Sequence, residues 1–267
     1  MIRIIDLQTA LLDLLYEIRK TEEKLIVGGG YGIYLKMVHL RQTGERTLFN
    51  NWPEPRATND LDLFLRPELL IESEKLKPLA QALEKLKYTV VPSAKHYQFI
   101  RSGPDGTETG AIKVDILTGP RSHFESTKVK ADSRRAKPKP SVGIHAHPVD
   151  EALSLDKGLL STILTGNLSS GVSWETEVLL PHPYTFSLMK LFAFRDRLED
   201  ENKEFGRYHA LDLYTIVATT IEQEWQLALK LREIHKEDPI ALEAGRLVAK
   251  YFSDLEQLGM IRLRESK

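Results

Sequence analysis

The sequence predicts an α+β fold, with a mixed-sheet domain over residues 1–150 and a mostly helical domain over residues 151–267. Two observations predict this division. Short apolar runs that end at glycine, proline or polar clusters recur in the first half of the chain, as is typical of half-buried strands. Beyond Pro183, apolar residues recur every three or four positions, which is the spacing of helices that bury one face.

The N-terminal region is predicted to form a helix, a strand, a glycine turn and a second helix. Leucine and isoleucine at helical spacing predict a helix over residues 6–20, with Asp6 as a candidate N-cap. Residues 25–27 predict a short strand that ends at three consecutive glycines, and the helical pattern resumes over residues 31–40. Glycines that open a helix leave backbone N–H groups able to meet a phosphate.

The next elements alternate between strands and helices. A loop over residues 42–58 leads into a strand over residues 61–65, which ends before Pro67, and helical spacing follows over residues 68–87. Residues 88–91 and 97–100 predict paired strands, and residues 111–117 predict a further strand. Prolines interrupt residues 120–150, where we expect loops or short strands. The predicted helices of the second part cover residues 184–200, 207–217, 223–235 and 241–258.

Two aspartates lie on the strand over residues 61–65 or directly before it. Asp60 and Asp62 are two positions apart and therefore share one face of a strand, while Leu61 and Leu63 share the other. Neighbouring carboxylates repel each other unless a positive charge lies between them, and Mg²⁺ prefers such oxygen ligands. The pair therefore indicates a metal site for phosphoryl or nucleotidyl chemistry. The alternative is an acidic pair at the rim of a surface strand.

Other motifs narrow the chemistry. Asp115 places a third acid on a predicted strand. The glycines at residues 28–30 match neither the phosphate-binding P-loop pattern nor the dinucleotide-binding glycine pattern. Ser187 and Lys190 have the spacing of a serine–lysine acyl-transfer motif, but its companion motifs are missing. For Lys190 a helix-surface lysine remains an alternative, and His145 and His147 lack a third metal ligand nearby in the sequence.

Composition favours a globular protein and excludes several classes. Apolar residues make up 42% and charged residues 28% of the chain, cysteine is absent, and the net charge is −1. These values argue against disordered, fibrous and disulfide-rich proteins, and no apolar run is long enough for a membrane helix. The N-terminus lacks the zones of a signal peptide, so we expect a cytoplasmic protein.

One local patch departs from this neutral balance. Six positive charges fall within residues 128–139. Such a cluster either contacts the phosphates of a nucleic acid or forms a solvated loop, and the sequence leaves both interpretations open. The cationic residues are Lys128, Lys130, Arg134, Arg135, Lys137 and Lys139.

Four motifs resemble those of a known family. They lie at residues 29–33 (GGYGI), 56–63 (RATNDLDL), 190–195 (KLFAFR) and 210–214 (ALDLY). In this order they resemble the AbiEii-type nucleotidyltransferases of bacterial abortive-infection and type IV toxin–antitoxin systems, within the DNA polymerase β-like nucleotidyltransferase superfamily. The resemblance spans most of residues 25–215, and its D-x-D block is the most specific part.

The resemblance implies a nucleotidyltransferase-fold catalytic domain over residues 1–150, and it implies roles for particular residues. Asp60 and Asp62 would ligate Mg²⁺ or Mn²⁺, with Asp115 as a base or additional metal ligand. Five further residues would bind the nucleotide phosphates, and Asp212 would be a functional acid of the C-terminal part. The nucleotide-binding residues implied are Gly29, Gly30, Tyr31, Arg56 and Lys190. Tyr31 is a departure, because the family commonly has a small hydroxyl residue there.

By the same resemblance, the chain would move a nucleoside monophosphate from a nucleoside triphosphate to an acceptor, and so act as a toxin. RNA is the leading acceptor, in particular the 3′ end of tRNA. The basic patch in the sequence, independently of the resemblance, offers Lys128, Lys130, Arg134 and Arg135 as its contacts. A cognate antitoxin protein would be a further partner. Transfer to a protein hydroxyl or to a small molecule remains an alternative, as does a non-catalytic module that binds a nucleotide or a partner.

Overall fold

The structure is a computed structural model that describes residues 4–21, 23–54, 56, 58–94, 96–103, 110–198 and 204–266. It divides into two compact units. The first, called the sheet unit below, comprises Met1–Gly32, Ala57–Val149 and Leu160–Leu180. The second, called the helical unit, comprises Ile33–Arg56, Asp150–Leu159 and Pro181–Lys267. The chain thus passes between the units several times, whereas the sequence predicts one boundary at residue 150.

The described residues form helices and strands with the following bounds. The helices are α1 (Ile4–Ile18), α2 (Gly29–Thr43), α3 (Pro67–Ile71), α4 (Lys77–Lys85), α5 (Pro183–Asp196), α6 (Glu204–Ala218), α7 (Glu222–Ile234), α8 (Pro239–Tyr251) and α9 (Leu258–Arg264). The strands are β1 (Ile26–Val27), β2 (Asp60–Leu65), β3 (Thr89–Val90), β4 (Gln98–Arg101), β5 (Ile112–Thr118), β6 (Lys130–Ala131), β7 (Ala136–Lys137), β8 (His147–Pro148), β9 (Leu160–Asn167) and β10 (Ser173–Leu180).

The main sheet is mixed, which confirms the predicted α+β class. Its strand order is β3-β4-β5-β2-β1-β10-β9, and β8 pairs with β5 at the side of this path. The pairs β2–β5, β1–β10 and β5–β8 are parallel, and the other pairs of this sheet are antiparallel. Strands β6 and β7 form a separate two-stranded hairpin.

The sheet unit has its core between the sheet and α1. This helix packs against β2, β9, β10 and α4, and Leu7, Leu11 and Leu14 on its inner face are fully buried. Leu61 and Leu63 of β2 are also fully buried, whereas Asp60 and Asp62 on the opposite face are only half-buried. The apolar face of β2 therefore fixes the strand in the core, and its acidic face stays partly accessible to solvent.

The helical unit is built around α5, against which α6, α7 and α8 pack. One apolar cluster joins Leu188 and Leu191 of α5 to Leu247 of α8. A second joins Phe186 of α5 to Met37 of α2. In the part of the chain that the structure describes, no helix is long and apolar enough to cross a membrane.

The hairpin β9–β10 is a feature that the sequence does not predict. It lies within residues 151–267, which are expected to be mostly helical, yet it belongs to the sheet unit. The physical reason is the parallel pairing of Ile26 with Leu179, which extends the main sheet with two long strands. The predicted helix over residues 68–87 is also divided, because a 3-10 turn at Ser73–Leu76 separates α3 from α4.

Candidate active site

Three aspartates share one face of two neighbouring parallel strands. Asp62 of β2 lies directly opposite Asp115 of β5, and Asp60 lies opposite Lys113. Residues that are opposite each other on paired strands point to the same face of the sheet, so the three carboxylates and the Lys113 ammonium group share it. On its other side, Asp115 is opposite Gln98 of β4. The register thus brings Asp115 next to an acidic pair that lies far from it in the sequence.

The Asp115 carboxyl is held in an unfavourable environment for a negative charge. Burial, together with the charges of Asp62 and Asp60, raises its pKa to about 7, although the hydrogen bond from Gln98 and the charge of Lys113 act in the opposite direction. Its Oδ1 atom is buried and makes no hydrogen bond within the described residues. A cation placed among these carboxylates would remove the repulsion and supply the missing partner.

The glycines at the start of α2 allow this helix to approach the acidic strand closely. Gly29 has a φ of +62°, and a Cβ atom at this position would lie 1.7 Å from Oδ2 of Asp62. The Gly28 N–H donates to the Asp62 carbonyl oxygen at 2.8 Å, and a Cβ at Gly28 would lie 2.6 Å from the Phe64 ring. The acidic strand and the helix N-terminus are therefore neighbours only because glycine has no side chain.

The predicted phosphate-binding residues Gly29, Gly30 and Tyr31 form the first turn of α2. N–H groups in the first turn of a helix lack intrahelical partners and attract anions. The Tyr31 side chain, however, is fully buried. A phosphate contact by this residue would therefore use its backbone N–H rather than its hydroxyl group.

The acidic face suits a metal ion that takes most of its ligands from elsewhere. Among the described residues, no group of three or more histidine, cysteine, aspartate or glutamate side chains is placed to hold a metal ion by itself. Mg²⁺ does not require one, because it commonly keeps several waters and binds one or two carboxylates together with substrate phosphates. The oxygen donors and the buried Oδ1 of Asp115 fit such a partly protein-bound ion.

A second charged cluster lies inside the helical unit. Lys190 Nζ is 2.8 Å from Asp212 Oδ2, and Arg56 donates from Nε to Asp212 Oδ1 at 2.9 Å and from Nη2 to Oδ2 at 3.0 Å. Burial alone would raise the pKa of Asp212, but Lys190 and Arg56 outweigh this effect and lower it. Lys190 is itself buried, so it is not a lysine that extends along the helix surface into water.

His209 is a member of this cluster that sequence reasoning missed. It lies three residues before Asp212 on α6, so both side chains occupy the same side of the helix. Burial, followed by the charge of Lys190, lowers its pKa to about 3, and its Nδ1 atom is buried without a hydrogen-bond partner in the described residues. The spacing to Asp212 was visible in the sequence, but the burial was not.

The basic patch forms the exposed hairpin β6–β7 of the sheet unit. Lys130 lies directly opposite Lys137, and their charges, with that of Lys130 the larger influence, lower the pKa of Lys139. Asp132 accepts hydrogen bonds from the N–H groups of Arg134 and Arg135 at 2.8 and 3.0 Å, which fixes the turn. Lys128, Lys130 and Arg134 are exposed, and Arg135 is half-buried. Like charges that lie opposite each other on paired strands destabilise the pair, and a bound anion would reduce this repulsion.

The paired histidines do not gain a third ligand. The His145 ring is buried and lies 5.3 Å from the His96 ring, measured between centroids, whereas His147 Nδ1 donates a hydrogen bond to the Arg134 carbonyl oxygen. Within the described residues, the two rings of residues 145 and 147 do not form a metal site.

Comparison with known proteins finds distant structural likenesses. No protein-family profile matches the chain, and no curated protein matches its sequence. A solution structure of the antibiotic-resistance factor ANT(2'')-Ia is 13% identical, with 90% of this chain and 96% of that chain covered and a TM-score of 0.41. A crystal structure of ANT(2")-Ia with adenylyl-2"-tobramycin is 14% identical, with 86% and 98% covered and a TM-score of 0.42.

A third similar structure is an antigenic nucleotidyltransferase-like protein from Paracoccidioides brasiliensis. It is 14% identical, 91% of this chain and 92% of that chain are covered, and the TM-score is 0.42. At such low identity and TM-score, the roles of individual residues follow from the side chains of this chain itself.

Proposed function

We propose that this chain is a Mg²⁺-dependent nucleotidyltransferase that moves a nucleoside monophosphate from a nucleoside triphosphate to an acceptor hydroxyl group. One observation carries the proposal. Asp60, Asp62 and Asp115 share one face of two paired strands, and Gly29 at the start of α2 lies against the Asp62 carboxylate. This combination brings cation ligands next to a helix N-terminus, where phosphates bind favourably.

The aspartates would have two different tasks. Asp60 and Asp62 would hold the cation, which when bound neutralises charge on the nucleotide phosphates and orients them. Asp115 would complete the metal site or accept the proton of the acceptor hydroxyl. The oxygen of that hydroxyl would form a bond to the α-phosphorus while the bond to pyrophosphate breaks.

The cationic groups would bind the nucleotide phosphates. The N–H groups of Gly29 and Gly30 begin α2, and such groups donate hydrogen bonds to phosphate oxygens. Lys190 and Arg56 both pair with Asp212, and the ammonium and guanidinium groups would stabilise the departing pyrophosphate. Asp212 would then be a positioning residue that fixes both cations.

RNA is the acceptor that we propose, specifically the 3′ end of tRNA. The support is the hairpin β6–β7 with its neighbouring residues, where Lys128, Lys130 and Arg134 are exposed and Lys130 lies opposite Lys137. We propose that the modification makes the chain a toxin of a toxin–antitoxin or phage-defence system. Its partners would be the nucleoside triphosphate, the tRNA and a cognate antitoxin protein.

Label transfer tests the reaction and the acceptor together. Each of the four α-³²P nucleoside triphosphates is incubated with the protein, Mg²⁺, total RNA and total protein. We expect label in tRNA, its loss after chelation of the metal, and its loss in Asp60→Ala and Asp62→Ala. Asp156→Ala, which removes an exposed carboxylate of the helical unit, is the matched control and should keep full activity.

The alternatives have distinct outcomes in this experiment. Label in protein would show that the acceptor is a side-chain hydroxyl. Label in an added small molecule would show that this molecule, and not RNA, is the acceptor. Nucleotide binding without pyrophosphate release would favour a non-catalytic module. Full transfer in either aspartate variant would contradict the metal assignment.

The toxin role has its own test. Expression of the wild-type chain should arrest bacterial growth, and expression of Asp60→Ala to the same level should not. Co-expression of an antitoxin should restore growth. Harmless expression of the active wild-type protein would contradict this part of the proposal.

A further inference from the structure

A serine and a histidine of the helical unit form a close pair that the proposed reaction does not use. Ser154 Oγ and His235 Nε2 are 2.7 Å apart, and both residues are half-buried. Ser154 has a φ of +55°, a left-handed conformation that costs about 1 kcal/mol or more for a residue with a side chain. A serine hydroxyl within hydrogen-bond reach of an imidazole is the arrangement of an activated nucleophile.

Both partners of the pair are held in place. The buried Thr185 hydroxyl donates to the carbonyl oxygen of Leu153, the residue before Ser154, at 2.8 Å. The Lys157 N–H donates to the Ser154 carbonyl oxygen at 2.9 Å. The Tyr184 ring stacks on the His235 imidazole, with centroids 6.1 Å apart and an interplanar angle of 15°. The backbone contacts hold Ser154, and the stacking of Tyr184 holds the His235 imidazole beside its hydroxyl.

We propose that Ser154, activated by His235, is a nucleophile that accepts a nucleotidyl group, so that the chain modifies itself. The Ser154 Oγ–P bond would form at the α-phosphorus of a nucleoside triphosphate, the bond from that phosphorus to pyrophosphate would break, and the hydroxyl proton would pass to His235 Nε2 and then to water. The nucleoside triphosphate as substrate class rests on the proposed function, whereas the reactivity of the serine rests on the pair alone.

A fluorophosphonate probe measures the reactivity of the serine without any nucleotide. In this reaction fluoride is the leaving group, so the metal site is not needed. We expect an adduct on Ser154, found by peptide mass mapping, in both wild-type protein and Asp60→Ala. Removal of the base in His235→Gln should slow the labelling by about a hundredfold. Ser154→Gly should abolish it, and glycine tolerates this φ, so the variant should fold.

Ser126 is a matched internal control. It is also a serine with a left-handed backbone, with a φ of +65°, and it is exposed. No hydrogen bond to a histidine is found for it in the described part of the chain. Labelling of Ser126 at the rate of Ser154 would overturn the proposal, because accessibility rather than activation would then explain the reaction.

Incubation with α-³²P nucleoside triphosphates, Mg²⁺ and total RNA identifies the natural substrate. We expect label on Ser154 of the wild-type protein, and its absence in Ser154→Gly, with label in RNA unchanged. Label in RNA with Ser154 unmodified would overturn self-modification and leave the proposed function standing. The remaining outcome is a fluorophosphonate adduct on Ser154 together with no ³²P label on either RNA or Ser154. It would overturn both the proposed function and the nucleotide as the substrate of Ser154.

Discussion

At the scale of the residue, Gly29 links the acidic strand to the helix that follows the glycine turn. The Asp62 carboxylate occupies the space in which any other residue would carry its Cβ atom, and the backbone adopts a left-handed conformation there. Two separate physical reasons, space and backbone conformation, therefore require glycine at this position. The first reason concerns the candidate active site, and the second applies to any residue with a positive φ.

Gly29→Ala should abolish nucleotidyl transfer and lower stability. A Cβ atom 1.7 Å from Asp62 Oδ2 must displace the carboxylate from its position opposite Asp115, and the positive φ adds a cost of about 1–2 kcal/mol for alanine. Label transfer and urea denaturation measure the two effects. The expected result is no transfer, with a protein that still unfolds cooperatively.

Gly143→Ala separates the space requirement from the backbone requirement. Gly143 also has a positive φ, +83°, but a Cβ atom there would meet nothing within 4 Å. This variant should lose about 1 kcal/mol of stability and keep its transfer activity. Equal activity of the two variants would contradict the role given to the contact between Gly29 and Asp62.

His209 should make the free energy of unfolding depend on pH. Burial, and the charges of Lys190, Arg56 and Arg197, lower its folded pKa to about 3, while Asp212 acts in the opposite direction. An unfolded histidine binds a proton near pH 6.5. The unfolded state therefore binds more protons as pH falls from about 6.5 toward 3, so stability is complete above this range and falls within it by up to about 1.4 kcal/mol per pH unit.

Urea denaturation at about pH 7 and about pH 5 measures this dependence. The wild-type protein should lose roughly 2 kcal/mol more between the two pH values than His209→Gln, which cannot take up the proton. His123→Gln, a change at an exposed histidine, should behave as the wild type. An identical pH dependence for wild type and His209→Gln would show that His209 is not held neutral.

At the scale of the element, the sequence predicts most helices and strands, because their patterns are local. Strand β2 and the pair β3–β4 lie where alternation and proline predict them, and α5, α6 and α7 match predicted segments within a few residues, although residues 199–200 of the first segment lie outside the described residues. The helix predicted over residues 241–258 is wrong at its end, because α8 stops at Tyr251 and a separate helix, α9, begins at Leu258. The hairpin β9–β10 was not predicted. Its alternation is interrupted by Gly166 and by adjacent apolar residues, and its place in the sheet depends on pairing with Ile26.

A buried ion pair joins α2 to the start of α7. Lys36 Nζ lies 2.6 Å from Glu224 Oε2, and the same carboxylate oxygen accepts the N–H of Ile221, the N-cap residue of α7, at 3.0 Å. Burial lowers the Lys36 pKa despite the presence of Glu224. The Glu224 carboxylate thus neutralises the buried Lys36 charge and also accepts a hydrogen bond from the Ile221 N–H group at the start of α7.

Glu224→Gln should destabilise the protein by about 3–5 kcal/mol, because it leaves the Lys36 charge buried without its counter-ion. Urea denaturation measures the loss. Glu222→Gln is the matched control, since Glu222 also lies in the first turn of α7 but is exposed. Its cost should stay within about 0.5 kcal/mol. Similar losses in the two variants would indicate that negative charge in the first turn of α7, and not the buried ion pair, explains the effect.

At the scale of the whole molecule, each of the two charged clusters, one in each unit, combines residues that lie far apart in the sequence. The alternation of Asp60 and Asp62 indicates metal chemistry, and a strand pattern contains Asp115, but their proximity depends on the register of β2 and β5. The contacts of Lys190 and Arg56 with Asp212 are equally long-range. Burial in three dimensions explains why His209 and Gln98 were missed, since neither belongs to a sequence motif.

Charge is also distributed unevenly over the molecule. The chain has a net charge of −1, so binding of RNA would depend on a local patch rather than on overall attraction. For single-stranded nucleic acid, the logarithm of the binding constant falls with the logarithm of salt concentration by about 0.7 for each phosphate neutralised. The patch on and beside the hairpin β6–β7 should therefore be visible as a salt-dependent term in tRNA binding.

Replacement of four cationic residues of this patch by alanine should weaken tRNA binding and reduce the salt slope by up to about 3. The four residues are Lys128, Lys130, Arg134 and Arg135. Fluorescence anisotropy with labelled tRNA at several salt concentrations measures the slope. Since Lys130 faces Lys137 across the hairpin, the substitutions remove a repulsion, so the fold should remain intact.

A second fourfold alanine variant controls for total charge. It removes exposed cations that pair with glutamates outside the patch, and both variants change the net charge from −1 to −5. The control residues are Lys77, Lys85, Lys236 and Arg246. If overall charge determines binding, the two variants should bind tRNA equally weakly. If the hairpin contacts phosphates, as we expect, only the patch variant should show the reduced salt slope, because the control residues are paired with their own glutamates.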